Sequence, residues 1–167
     1  MLANGRTRTL ALLPYLPNIP PIPGPREPVP TSVTEGPDGA LYVGQLTSFP
    51  FWRGTASVLR VSSDGSSITP YVTGLTAVVD TAFDAGGALY ILEVASGQAG
   101  PPPFNPGLGA GRLLRKCPGA SPPEVLLPGL FFPSGVAIGP DGAAYLSNLG
   151  VSTTAGEVLR LPVTPCP

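Results

Sequence analysis

The residues most capable of chemistry in this chain are two carboxylates that stand beside apolar segments. Asp80 lies in VVDTAF (78–83), and Glu93 lies in ILEVA (91–95). A carboxylate in such a place is costly to bury unless it is paired, hydrogen-bonded or bound to a metal. Together with the amide oxygen of Asn148, the two would form a hard oxygen set suited to Ca²⁺ or a similar divalent cation. Two alternatives stay open: hydrogen bonds to backbone amides or to a neighbouring arginine, and direct general-base catalysis.

The composition excludes several other kinds of chemistry. The 167 residues include no His, which removes Ser-His-Asp and Cys-His catalysis and His-ligated zinc. Nine basic and ten acidic residues give a net charge of −1 without a basic block, so nucleic acid is not an expected partner. No segment approaches the ~18–20 apolar residues of a membrane span. Residues 1–13 lack the apolar core of a signal peptide, so none is visible here.

An internal repeat organises the chain. Three segments have similar sequences, namely PTSVTEGPDGALYVGQL (30–46), VVDTAFDAGGALYILEV (78–94) and PSGVAIGPDGAAYLSNL (133–149). Their tyrosines, Tyr42, Tyr90 and Tyr145, stand at spacings of 48 and 55 residues. A segment with an arginine in register follows each time (Arg60, Arg115 and Arg160), and ITPYVTGL (68–75) recurs as PEVLLPGL (123–130).

This repeat predicts an all-β chain built as a β-propeller. Each unit contains four short strands separated by Pro, Asp and Gly turns, and four antiparallel strands repeating every ~40–50 residues are typical of a propeller blade. An ordinary β-sandwich is the alternative, but it would not show this long period. The 24 Pro and 22 Gly residues fit such turns, and a mean hydropathy of +0.27 is too apolar for a disordered chain.

The predicted blades do not close a ring. We expect residues 1–13 to be a stray outer strand of a preceding blade and residues 14–29 to be a Pro-rich linker. Blade 1 then covers residues 30–76, blade 2 covers 77–131, and an incomplete blade 3 covers 132–167. Propellers have about four to eight blades. The chain is therefore either the C-terminal half of a longer protein or one of two associating copies, a homodimer in which the stray strand of one copy completes the last blade of the other.

The propeller geometry predicts where a site would lie. The start of each first strand and the end of each second strand open onto one face of the ring, here called the channel face. Phe51 and Trp52, in the loop after the second strand of blade 1, would either stack on a flat ligand or plug the ring. The predicted ligand-binding residues on the channel face are Ser32, Gln45, Phe51, Trp52 and Ser134. The predicted metal ligands are Asp80, Glu93 and Asn148.

The two cysteines leave a choice open. Cys117 and Cys166 are separated by 49 residues and form no CxxC pair. One disulfide and two separate thiols are equally compatible with this spacing.

The wording of the repeats resembles a known family. PTSVTEGPDGALYVGQLTSFPF (30–51), VVDTAF (78–83), ALYILEVA (88–95), PSGVAIGPDGAAYLSN (133–148) and AGEVLR (155–160) are similar to the ScyD/ScyE family. These are secreted, NHL-like β-propellers associated with the biosynthesis of an indolic sunscreen pigment. The resemblance implies a six-bladed ring, related to the SMP-30/gluconolactonase group, of which this chain supplies the C-terminal half. It also implies a secreted or periplasmic location and a divalent ion held by oxygen ligands near the channel mouth.

The chain departs from the family at two positions. Family members often have Glu where this chain has Gln45, and Cys where it has Leu149. Because Gln45 carries no charge, a metal or acid–base role is less well supported at this position.

Three functions fit these observations. The first is a non-catalytic binding or scaffold module that takes a small molecule or a protein at the channel face. The second is a divalent-metal-dependent, lactonase-like hydrolase, and the third is a truncated, non-functional fragment. The sequence leaves open whether the protein is an enzyme.

Overall fold

The chain folds into short antiparallel strands. A computed structural model describes residues 5, 7–20, 24–48, 51–96, 110–120, 122–152 and 154–167. Over these residues there is no α-helix, and therefore none with the length and hydrophobicity that crossing a membrane requires. The strands are β1 (Pro30–Glu35), β2 (Leu41–Gln45), β3 (Ala56–Val61), β4 (Ile68–Leu75), β5 (Val78–Phe83), β6 (Leu89–Glu93), β7 (Gly111–Lys116), β8 (Glu124–Leu130), β9 (Gly135–Ile138), β10 (Ala144–Asn148) and β11 (Glu157–Leu161).

The strands form three separate sheets in chain order. Strands β1 to β4 form the first sheet (blade 1), β5 to β8 the second (blade 2) and β9 to β11 the third (blade 3). Every neighbouring pair is antiparallel. As predicted, two sheets have four strands and the last has three.

The turn between the first and second strand of each blade is built around an aspartate and a tyrosine. Asp38 accepts a hydrogen bond from the Tyr42 hydroxyl at 3.3 Å in blade 1. In blade 2, Asp84 accepts the equivalent bond from Tyr90, also at 3.3 Å, although it stands two positions earlier in the turn. Gly36 occupies that earlier position in blade 1, where a Cβ atom would lie 2.2 Å from the Tyr42 ring. The aspartate and the glycine have therefore exchanged places between the two turns while the same bond is kept.

The core lies between the blades rather than inside any one of them. Tyr42 of blade 1 meets Phe83 of blade 2 edge-to-face, with ring centroids 4.8 Å apart. A second cluster joins Tyr90 and Leu92 of blade 2 to Leu146 of blade 3. Because β6 is covered on both sides, all five of its residues are buried. Alternating side chains of a strand point to opposite faces, so each apolar strand contributes to two interfaces.

The outer face of blade 1 is buried, whereas the outer face of blade 3 is exposed. Val43, Leu59 and Val61 point away from blade 2, yet they are only 7%, 8% and 1% exposed. The chain before β1 touches blade 1 beside Gly65, where an added Cβ would lie 2.1 Å from the carbonyl oxygen of Leu10. On the open face of blade 3, Val158 is 76% exposed.

The described part of the predicted stray strand is not in strand conformation in this structure. Residues 7–13, all of which the structure describes, belong to no strand. The nearest bridge joins Leu16 to Arg26. A strand requires a neighbouring strand that accepts its hydrogen bonds, and none of the described strands pairs with residues 7–13. Residues 1–4 and 6 lie outside the described residues.

The C-terminal segment returns to blade 2 instead of forming a fourth strand for blade 3. Cys166 forms a disulfide with Cys117, with a Cα–Cα distance of 5.8 Å, which decides the choice that the sequence left open. Val163 packs against the core between blades 2 and 3. The Arg115 guanidinium donates to the carbonyl oxygen of Thr164 and, at 2.6 Å, to the Glu124 carboxylate. Residues 162–167 therefore belong structurally to the junction of two blades.

Candidate functional site

Three polar side chains occupy equivalent positions at the channel face. Gln45, Glu93 and Asn148 are the last residues of β2, β6 and β10 and are 1%, 0% and 8% exposed. Buried polar groups normally have hydrogen-bond partners. The partners of these three residues differ, and the difference distinguishes blade 1 from the other two.

Glu93 clamps the connection that enters its blade. Its Oε1 accepts the Thr76 backbone N–H at 2.6 Å, and its Oε2 accepts the Arg112 Nε–H at 2.5 Å. Arg112 stands directly opposite Glu93 in the β6–β7 register. Burial raises the pKa of Glu93 above its ordinary value, while the bonds from Arg112 and from the Thr76 N–H act in the opposite direction. Both carboxylate oxygens are thus occupied by protein donors.

Asn148 does the same work in blade 3. Its Oδ1 accepts the Phe131 backbone N–H at 2.8 Å, and its Nδ2 donates to Glu157 at 2.7 Å. Glu157 stands opposite Asn148 in the β10–β11 register, as Arg112 stands opposite Glu93. In both blades, therefore, the residue that ends the second strand holds the entering chain and a partner on the third strand.

Gln45 has neither of these partners. The registers Pro30↔Gln45 and Val78↔Glu93 make Pro28 the counterpart of Thr76, and proline has no N–H to donate. The next residues, Val29 and Ala77, share a positive φ of 39° and 50°, which supports this alignment. Among the described residues, neither Oε1 nor Nε2 of Gln45 finds a hydrogen-bond partner. The buried amide of Gln45 is therefore left unsatisfied.

Two further unsatisfied groups belong to the loop that follows Gln45. Thr47 Oγ1 and Trp52 Nε1 are buried and, within the described part of the chain, have no hydrogen-bond partner. The loop is held from behind, because Thr55 Oγ1 donates to the Trp52 carbonyl oxygen at 2.8 Å and accepts from Arg26 Nη1 at 3.0 Å. Residues 49–50 of the same loop lie outside the described residues. Blade 1 thus carries all four of the buried polar side-chain atoms that lack a partner in the described structure.

The serines predicted for the site are engaged in local bonds. Ser32 Oγ lies 3.1 Å from Thr81 Oγ1 and so joins blade 1 to blade 2. Ser134 Oγ lies 3.0 Å from Ser147 Oγ on the neighbouring strand of its own blade. Phe51 adopts a positive φ of 57° in the loop beside Trp52.

The three predicted metal ligands all accept hydrogen bonds from protein donors. Asp80 accepts the backbone N–H groups of Thr81 at 2.9 Å and of Val136 at 2.8 Å, which ties blade 2 to blade 3. Glu93 and Asn148 are committed to the bonds described above, with the Arg112 guanidinium lying against Glu93. No group of three or more acidic or cysteine side chains that could hold a metal occurs within the described residues. Each oxygen of this set accepts one protein hydrogen bond, and the metal site stays a prediction.

A cavity of about 670 Å³ lies at the opposite, turn end of the molecule, between blades 2 and 3. Asp84, Tyr90 and Asp141 contribute its polar groups, and the C-terminal segment closes one side with Val163 and Cys166. Sequence reasoning missed this cavity, because it depends on the return of the C-terminal segment. It also missed Thr47, which no motif marks.

Comparisons with known proteins agree with the fold. No protein-family profile matches the sequence, and no curated protein matches it. Among solved structures, the chain is similar to the X-ray structure of a candidate gluconolactonase, with 15% identity and a TM-score of 0.52. The match covers 77% of this chain and 48% of the other, so the chain spans about half the length of that neighbour. At such identity the likeness shows the fold alone. It confirms the all-β, propeller-type prediction, while the narrower ScyD/ScyE resemblance stays a prediction.

Proposed function

We propose that this chain is a non-catalytic binding module that takes a small, neutral, polar molecule at the channel face of blade 1. One observation carries the proposal: within the described residues, the four buried polar side-chain atoms without a hydrogen-bond partner all belong to Gln45, Thr47 and Trp52. An unsatisfied buried donor or acceptor costs about 1–3 kcal/mol. A ligand that completes these bonds would offset that cost.

The chemistry of the three side chains defines the ligand class. The Gln45 amide offers an acceptor and two donors, the Thr47 hydroxyl offers both functions, and the Trp52 indole offers one donor. None of these groups is charged, so they suit hydroxyl, carbonyl or amide groups better than phosphate or a cation. The flat indole would add apolar contact to the same ligand. The residues that we propose to contact the ligand are therefore Gln45 and Trp52, which the sequence also predicted, and Thr47.

Tryptophan fluorescence provides a direct test. Trp52 is the single tryptophan of the chain, so its emission reports on this site alone. Titration with a panel of neutral sugars, lactones and amides should shift the emission for at least one compound, and Gln45→Leu should abolish the shift. Ser63→Ala, an exposed position in the β3–β4 turn, is the matched control and should bind normally. A panel without effect, or unchanged binding by Gln45→Leu, would contradict the proposal.

A lactonase-like hydrolase is the second candidate function, and the candidate gluconolactonase among the structural neighbours favours it. The engaged state of Glu93 and Asn148 argues against it. If the hydrolase hypothesis is right, purified protein should contain a divalent metal by elemental analysis and should hydrolyse glucono-1,5-lactone, and Asp80→Asn should release the metal. Metal-free protein without lactone hydrolysis would exclude this candidate.

We further propose that the protein works in the periplasm or outside the cell. The Cys117–Cys166 disulfide supports this location, because disulfides persist in oxidising compartments and are rare in the cytosol. Thiol titration of protein isolated without reductant should detect no free cysteine. Two titratable thiols per chain would contradict the proposal.

A further inference from the structure

We propose that two copies of this chain form one ring, in which residues 10–16 of each copy add as the fourth strand of blade 3 of the other. The inference goes beyond ligand binding and does not depend on it. It concerns the channel, which a half-ring leaves incomplete, since β1, β5 and β9 of one copy would line only part of it.

Blade 3 presents an edge and a face that are covered in the other two blades. The registers make β11 the counterpart of β3 and β7, which pair with β4 and β8, whereas β11 pairs with β10 alone among the described strands. Val158 on β11 is 76% exposed, while its counterparts Val58 and Leu113 are 0% exposed. Unpaired edges of this kind are templates for another strand. The open side of blade 3 therefore continues the series of blade-to-blade interfaces.

Residues 10–16 have the sequence of the missing strand. They read LALLPYL, and β8 (residues 124–130) reads EVLLPGL, so the LLP motif and the final leucine coincide. In the described structure, the one β-type backbone pairing of this segment is the bridge from Leu16 to Arg26. Leu12 and Tyr15 are 81% and 68% exposed. The segment thus combines the sequence of a fourth strand with free pairing capacity.

The segment already lies where a preceding blade would place its outer strand. In blade 2, Leu127 of β8 packs in the cluster that contains Leu159 and Leu161 of the next blade. The counterparts of those two residues in blade 1 are Leu59 and Val61, which are 8% and 1% exposed, and Leu10 touches the same blade beside Gly65. Residues 10–16 can therefore stay on their own blade 1 and pair with β11 of a second copy.

The exchange closes a symmetric ring. Each copy donates one segment and receives one, so the two contacts are identical and related by a two-fold axis. A second copy is therefore the partner that fits both the edge of β11 and the open face of blade 3.

Solution mass is the first test. Light scattering of the purified chain should give about twice the chain mass of 17.0 kDa. Val158→Asp should reduce the mass to that of one chain, because the carboxylate would be buried between blades, while folding is kept at an exposed position. Val125→Asp is the matched control, since Val125 is also exposed but lies on β8, and it should stay dimeric. A monomeric unmodified chain would overturn the proposal, as would a dimer that Val158→Asp leaves intact.

Cross-linking tests the strand register. The pair Leu113↔Leu127 of blade 2 places Leu13 of one copy opposite Val158 of the other. When the single variants Leu13→Cys and Val158→Cys are mixed under mild oxidation, a covalent dimer should form. Leu12→Cys mixed with Val158→Cys should not cross-link, because the neighbouring residue points to the other face. Equal cross-linking by both mixtures would overturn the proposed register.

Discussion

Replacing Gln45 by leucine should stabilise the protein. The wild-type amide is 1% exposed, and neither of its polar atoms has a partner in the described structure, because Pro28 has no N–H. Leucine keeps most of the side-chain volume and removes two unsatisfied groups, each of which costs about 1–3 kcal/mol when buried. After allowance for imperfect packing of the new shape, we expect a gain of about 1–2 kcal/mol in the free energy of unfolding.

The same substitution in the other blades should have the opposite effect. Asn148→Leu removes two hydrogen bonds and strands the Phe131 N–H, so it should cost about 1–3 kcal/mol. Glu93→Leu leaves Arg112 without its partner and should cost about 3–5 kcal/mol, the range for breaking a buried ion pair. One substitution at three equivalent positions thus predicts one gain and two losses.

Urea unfolding followed by circular dichroism measures all three values, with thermal melting as a second readout. In a chain of this size, each kcal/mol corresponds to about 2–4 °C in Tm. If Gln45→Leu destabilises the protein by more than 1 kcal/mol, the Gln45 amide is hydrogen-bonded in the folded protein and the expected gain in stability is refuted. A gain in stability combined with a loss of ligand binding would mark Gln45 as a binding residue kept at a cost to the fold.

Four further predictions concern the rest of the chain. Cys166→Ser should lower stability by about 4 kcal/mol, because it opens a loop of 49 residues, and Cys117→Ser should match it in urea unfolding. Gly36→Ala should cost about 1–3 kcal/mol, since its Cβ would lie 2.2 Å from the Tyr42 ring, whereas Gly156→Ala, which meets nothing within 4 Å, should be close to neutral. Because the pKa of Glu93 is raised in the folded state, this group stabilises the folded protein fully at pH values below its unfolded pKa of about 4.3. The stabilisation is lost as the pH rises through the folded-state pKa. The free energy of unfolding should therefore differ less between pH 4 and pH 7 in Glu93→Gln than in the wild type. An unchanged difference would contradict a raised pKa of Glu93. Asp64, whose pKa is lowered to about 2 by the Ser62 hydroxyl and by the Ser66 N–H and hydroxyl, stabilises its turn above its unfolded pKa and loses this effect as pH falls toward 2. Asp64→Asn should accordingly weaken the acid dependence of unfolding.

The sequence predicted which residues lie at the channel face but not which hydrogen bonds they make. The repeat register identified Gln45, Glu93 and Asn148 as equivalent, and the structure places all three at the ends of second strands. Their chemistry depended on partners far along the chain, such as Thr76 for Glu93 and Phe131 for Asn148. Those partners follow from the paths of the connections between blades, which composition and spacing do not determine. The oxygens of the metal hypothesis also accept hydrogen bonds from backbone amides and from Arg112, which the sequence does not show.

What the sequence determined by itself is the local structure of each blade. Turn residues with restricted or positive φ and alternating apolar residues act over a few positions, so the repeat of Tyr42, Tyr90 and Tyr145 is enough to reveal strands, turns and the incomplete last blade. What only the tertiary structure decided depends on segments that meet across many residues. The return of Cys166 to Cys117, the contact of Leu10 with Gly65 and the effect of Pro28 on Gln45 all belong to this class. In each case the stabilising free energy comes from burial and hydrogen bonding between distant parts of the chain. A local sequence pattern does not show which distant segments will meet.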